Sequence, residues 1–171
     1  ALAHPDRVFQ LVLIDGLPAN VRERVTSPSI QRALDTPAPS WLAWFGNWLF
    51  GGVMIESVLK EIVHDPALLT PAVIERSNRN RQRPGMIRPL MTVRDSLPLW
   101  ERGFARRLGE IAQATLIVWP EEDRVFPLAV GEELQRTIKG SSLVRIPNAG
   151  HIPQWERPDL ANRAMIDFLQ R

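Results

Sequence analysis

Three short apolar runs organise the 171 residues. Val8 to Ile14 is nearly continuously apolar and closes at Asp15-Gly16, which predicts a strand buried on both faces. Thr115 to Trp119 and Ser142 to Ile146 repeat the pattern. Between the second and third runs, Pro127 to Ile138 alternates as an amphipathic helix does, and Asp159 to Gln170 forms a closing amphipathic helix. Strands separated by helical stretches predict an α/β chain whose three strands lie parallel and adjacent. Ahead of the first run, Ala1-Leu2-Ala3 reads as the end of a helix stopped by Pro5.

The long interval between the first two runs has a helical period throughout. Leu17 to Ser40 carries Pro18, Pro28, Pro37 and Pro39, so it should be loop-rich with short helical pieces. Trp41, Trp44, Phe45 and Trp48 then fall at i, i+3, i+4 and i+7, one face of a helix, and the pattern resumes through Ile62. Asp65-Pro66 and Thr70-Pro71 each read as an N-cap followed by Pro in the first turn. Ser96 and Pro98 predict a further helix over Leu99 to Leu108. Asp15 to about Ile111 is therefore a helical insertion, expected over the C-terminal ends of the strands. The apolar stretch Trp41 to Ile55 is too short to span a bilayer and is broken by Asn47 and Gly51-Gly52. It reads as a helix under a lid, its tryptophans forming either lid core or pocket wall, with no membrane association.

Composition narrows the chemistry. A hydrophobic fraction of 44% is ordinary for a globular domain, and the net charge is only +2. Zero Cys excludes disulfides and thiolate catalysis. Arg76, Arg79, Arg81, Arg83, Arg88 and Arg94 form the one basic cluster, without interleaved aromatics, so nucleic-acid binding is not expected. No metal-ligand spacing and no cofactor motif is present. What remains are the acids of the loop past Trp119, namely Glu121, Glu122 and Asp123, and His151, which follows Gly150 in the loop after the last strand. Parallel neighbouring strands would bring these loops together, a carboxylate beside an imidazole.

Those loops carry a resemblance. W-x-x-x-D-R-x-x-P from Trp119 and G-H-x-x-Q-W-E from Gly150 resemble the closing segment of the α/β-hydrolase fold, and the second resembles the meta-cleavage-product C–C hydrolases and related esterases. In that family the triad runs nucleophile, acid, histidine. The resemblance implies Asp123 as the acid and His151 as the base, with Asp15 as the alternative acid. It also implies a helical cap over residues 16–111, a core strand in 1–15 and a C-terminal core in 112–171. Arg76 would meet a substrate carboxylate or else be an exposed helix residue, and Trp155 would line the substrate site or else pack against the closing helix, with Trp41, Trp44 and Trp48 the further candidates for the pocket wall. One position departs: the family has Gly after the Trp, whereas Pro120 stands here, which could re-route the acid loop.

No G-x-S-x-G nucleophile elbow occurs. The expectation is a cytoplasmic, serine-type hydrolase of carboxylic esters or of C–C bonds in ring-cleavage products, present as a fragment without its nucleophile. The alternative is a non-catalytic protein of the same fold. Such a fragment should be inactive and poorly soluble alone, ordered only when the N-terminal half or a second copy covers its open sheet edge. Its other partner would be a small-molecule substrate.

Overall fold

A computed structural model describes residues 1–36 and 39–171 of the chain, so Pro37 of the expected loop-rich stretch lies outside the described residues. Three strands, β1 (Gln10–Ile14), β2 (Ala114–Pro120) and β3 (Ser141–Ile146), form a parallel sheet in the order β1-β2-β3. Leu11 pairs with Thr115 and Ile14 with Val118, while Thr115 pairs with Ser141 and Pro120 with Ile146. Parallel pairing of all three is what the apolar runs predicted.

Because side chains alternate along a strand, the sheet buries two separate cores. Leu11, Leu13, Ile117, Trp119 and Leu143 face one side, against Val130 and Leu134 of helix α6 (Leu128–Thr137) and Ile138 beyond it. Val12, Ile14, Leu116, Val118, Val144 and Ile146 face the other, against Leu160, Ala164, Met165 and Phe168 of helix α8 (Pro158–Leu169). Burial on both faces is why β2 could be written almost entirely in apolar residues. Trp119 anchors the first core: its indole N–H donates to the Phe126 carbonyl at 3.1 Å, and the ring lies flat against Gly131. A Cβ at position 131 would sit 2.7 Å from that ring.

The first strand differs from expectation. It begins at Gln10, because the Val8 amide closes a short 3-10 turn over Pro5–Arg7 and Phe9 is left 89% exposed. Every residue of β1 is half-buried, since among the described residues it pairs on one edge alone. Ala1 to Ala3 is not helical.

The interval between β1 and β2 is helical: α1 (Val21–Arg24), α2 (Pro28–Asp35), α3 (Ser40–Ile62), α4 (Pro71–Arg81) and α5 (Ile87–Leu99). Ser27, Asp65 and Thr70 each cap a helical N-terminus, accepting from Ile30, Ala67 and Val73 respectively. The expectation for Leu99 to Leu108 needs correction. Helix α5 starts at Ile87 and runs through Ser96 and Pro98, so these residues open nothing. Pro98 contributes no amide to the ladder, and past α5 the chain widens into a π-helical turn over Trp100–Phe104 before tightening to 3-10 geometry over Ala105–Glu110.

Helix α3 also exceeds its prediction. It spans 23 residues without interruption at Asn47 or Gly51-Gly52, and by length and composition its Trp41–Ile62 stretch is long and apolar enough to cross a membrane. The glycines serve close packing instead of a break. Arg81 of α4 lays its guanidinium over Gly51 and donates to the Asn47 carbonyl, an approach that a Cβ at position 51 would block. Both ends of the helical interval enter the first core, through Val21 and Val25 near its start and Leu97, Leu108 and Ile111 near its end.

Candidate active site

The loops after β2 and β3 are zipped to each other before either presents a functional side chain. The Glu121 amide donates to the Ile146 carbonyl at 3.0 Å and the Glu122 amide to that of Ala149 at 3.2 Å. The Glu122 carboxylate returns the contact by accepting from the Ala149 amide at 3.1 Å. Pro120 is fully buried as the last residue of β2, in register with Ile146, so the proline continues the strand and leaves the acid loop in place.

Asp123 is the product of that placement. Its side chain has no exposure to solvent. Oδ1 accepts from the amides of Val125 at 2.7 Å and Phe126 at 3.2 Å, which fixes the carboxylate as an Asx turn does. Oδ2 lies 3.1 Å from Nδ1 of His151. A carboxylate only accepts, so Nδ1 carries the proton and Nε2 is left with its lone pair free, the tautomer a general base needs. The imidazole is one-quarter exposed and stands edge-on to Phe126, with ring centroids 6.0 Å apart.

The histidine loop is held from the opposite side by the end of α3. The His151 amide donates to the Ile62 carbonyl at 2.8 Å. Glu156, at the end of the short helix α7 (Pro153–Glu156), is buried and accepts three amides. Oε1 takes Gly150 at 2.8 Å, while Oε2 takes His64 at 2.7 Å and Asp65 at 3.2 Å. Gly150 is required here, because a Cβ would lie 2.5 Å from the Ile62 carbonyl and 2.8 Å from the His64 amide. Sequence reading placed Glu156 inside a motif without seeing this role. Its signal was the burial of an acid between two loops, which only the fold provides.

Asp15 also arrives at the site. It ends β1 in the left-handed region at φ 48°, a conformation Asp tolerates better than most residues. Its side chain is 6% exposed, and its Oδ2 lies 3.8 Å from Nδ1 of His151. Among the described residues neither of its carboxyl oxygens has a hydrogen-bond donor. Burial, then the neighbouring Asp123 and Glu156 carboxylates, pushes the Asp15 carboxyl up to about 10. Asp15, Asp123 and His151 present ligand atoms within 4.8 Å of one another, a grouping with the spacing of metal ligands. A hard cation would need several further oxygen ligands, and the buried Asp15 and Asp123 side chains leave little access for water.

The proposed substrate residues are not gathered around this pair. Arg76 is exposed on α4 and lines a hollow of about 430 Å³ with Arg79, Asn80, Gln82 and Arg83, which includes neither Asp123 nor His151. Trp41, Trp44 and Trp48 are 68%, 58% and 63% exposed along α3, so the described residues leave most of that stripe uncovered. Trp155 is half-buried on α7, in the turn that follows His151.

The sequence profile of the α/β hydrolase fold matches residues 1–158. The chain belongs to the α/β-hydrolase fold family. It is 33% identical, over 99% of its length, to a 2-hydroxy-6-oxononadienedioate/2-hydroxy-6-oxononatrienedioate hydrolase of Klebsiella pneumoniae, covering 57% of that protein. A 2-hydroxy-6-oxo-6-phenylhexa-2,4-dienoate hydrolase of Burkholderia cepacia is 32% identical, with the same coverage of 99% and 57%. Among solved structures, a mutant of the meta-cleavage product hydrolase CumD superposes with a TM-score of 0.76 at 19% identity, over 99% of this chain and 59% of that one. A thermophilic esterase from Thermogutta terrifontis superposes with a TM-score of 0.61 at 25% identity, over 99% of this chain and 58% of that one. The chain thus spans somewhat more than half the length of the hydrolases it resembles. Its three parallel strands and flanking helices correspond to the C-terminal part of an α/β-hydrolase.

Proposed function

We propose that these residues supply the acid and base of a serine-type hydrolase acting on carboxylic esters or on C–C bonds of ring-cleavage products. The observation that carries this reading is the 3.1 Å contact between Asp123 and Nδ1 of His151, on loops fixed by their own backbone hydrogen bonds. Nε2 would take the proton of an attacking hydroxyl, and Asp123 would hold the tautomer and stabilise the imidazolium that forms. Among the described residues no serine hydrogen-bonds to His151, and Ser27 and Ser29 are engaged with Glu61. The nucleophile is therefore assigned to a segment outside these 171 residues, packed along the free edge of β1, with a second copy of the chain as the other candidate for that edge.

Two of the similar proteins are named for hydrolysing ring-opened dienoates, which favours a carboxylate-bearing C–C substrate over a neutral ester. Arg76 is the residue that the family resemblance offers for that carboxylate, although its hollow on α4 includes neither Asp123 nor His151. The test uses the full reading frame containing this chain, assayed on a 2-hydroxy-6-oxo-dienoate and on a neutral p-nitrophenyl ester. Arg76→Ala should raise KM at least tenfold on the dienoate, with little change on the ester. Equal losses on both substrates would refute the role of Arg76 and leave an esterase as the better account.

A further inference from the structure

The feature that the acid–base pair does not use is Asp15, a buried carboxyl beside a second buried carboxyl. From the geometry we infer that Asp15 is a neutral carboxylic acid that donates its proton to Asp123 and so positions the acid partner of His151. This role rests on the proposed hydrolase reading, although the protonation itself does not.

The placement of the proton follows from counting donors. Asp123 receives the amides of Val125 and Phe126 on Oδ1 and faces Nδ1 of His151 with Oδ2, so both of its oxygens already have partners. Asp15 receives no donor on either oxygen among the described residues, and its side chain is 6% exposed. Two ionised carboxylates this close would repel each other in a medium that screens poorly. A single shared proton removes the repulsion, and it belongs on the group with no donors of its own. Once protonated, Asp15 supplies the hydrogen that its neighbour can accept, which gives one of its two orphaned oxygens a partner.

The other titratable groups at this point favour the same assignment. Glu156 sits behind the histidine loop as an acceptor of three amides and adds negative potential. Glu122, on the acid loop, is turned to the Ala149 amide. His151 is the one group that becomes cationic, and it does so while accepting the proton from the nucleophile. The push of the Asp15 carboxyl to about 10, by burial first and by Asp123 second, agrees with this geometry.

The arrangement leaves the site with one net negative charge facing Nδ1 instead of two. Asp15 therefore sets the orientation of Asp123 and the charge that faces His151.

The experiment compares Asp15→Asn and Asp15→Leu with the wild type in the full-length protein. Infrared difference spectra at neutral pH should show the loss of one protonated-carboxyl C=O stretch in Asp15→Asn. In hydrolysis, the amide replaces the acid as a donor, so Asp15→Asn should keep kcat/KM within about tenfold, while Asp15→Leu should fall by a further tenfold or more. The wild-type rate should also decline at alkaline pH as Asp15 ionises, and Asp15→Asn should lack that limb. No lost carboxyl band, or an unchanged alkaline limb in Asp15→Asn, would overturn the inference. A protein with the expected band but no hydrolysis would leave the proton on Asp15 and remove the functional reading alone.

Discussion

Glu156→Ala is the substitution whose cost follows most directly from the structure. The carboxylate accepts Gly150 at 2.8 Å, His64 at 2.7 Å and Asp65 at 3.2 Å, and so ties the histidine loop to the chain leaving α3. Truncation leaves these amides without an acceptor. Asp65 is exposed and can turn to water, whereas the Gly150 amide is buried and that of His64 is partly so. At about 1–3 kcal/mol for each buried donor left unpaired, the loss should be about 2–5 kcal/mol. Admission of a water to the vacated space would set the lower end. Glu156→Gln keeps one carbonyl oxygen but turns an NH₂ group toward an amide, so it should cost roughly half as much. The assay is denaturant unfolding of the full-length protein, with hydrogen exchange at the Gly150 and His64 amides as a local readout. Loss should appear as a lower midpoint and as faster exchange at those two amides together. A change under about 1 kcal/mol with unaltered exchange would refute the view that Glu156 joins the two loops.

Other substitutions probe separate parts of the account. Gly131→Ala should destabilise by about 1–3 kcal/mol, because its Cβ would meet the Trp119 ring at 2.7 Å; unchanged thermal unfolding would show that the helix shifts at no cost. Ser27→Ala removes the α2 cap and a donor to Glu61, and should cost about 1 kcal/mol in the same measurement. Burial opposes ionisation of Glu61, but hydrogen bonds from Ser27 and Ser29 and the nearby Arg32 outweigh it and lower its carboxyl below the usual range. Its contribution is thus present above the ordinary carboxylate range and lost as pH falls through the folded value, and Ser27→Ala should weaken that acid-side loss. Asp15 has the opposite sign. Folded Asp15 keeps a proton that the unfolded chain releases, so its contribution is full below the ordinary carboxylate range and falls as pH rises above it. Asp15→Asn should flatten that slope in unfolding curves taken across the range.

The parts legible in the sequence were those where one residue type can serve only one purpose. Leu116 to Trp119 is apolar at every position because β2 lies between two strands and two helical layers, and no surface element needs that. The contact of Asp123 with His151 was legible because both loops follow such strands and parallel order brings them together, while the family motif singled out Asp123 from Glu121 and Glu122. The failures share a different cause. Pro98 and Ser96 have the residue types of a helix start, yet the helix already formed upstream continues through them. The Trp41, Trp44 and Trp48 stripe correctly predicted a helix, but periodicity says which residues share a face and not what covers it. The contacts of Glu156 and the approach of Asp15 to Asp123 and His151 were invisible, since both depend on distant segments of chain.

The central claim is that Asp123 and His151 work as one acid–base unit. It is tested most directly by kcat for ester or dienoate hydrolysis by the full reading frame, with His151→Ala, Asp123→Asn and the double variant. Each single change should lower kcat by about 10³-fold or more, and the double variant should lose little beyond the worse single one, as expected of groups that act together. Single variants within tenfold of wild type, or losses that multiply in the double variant, would contradict it.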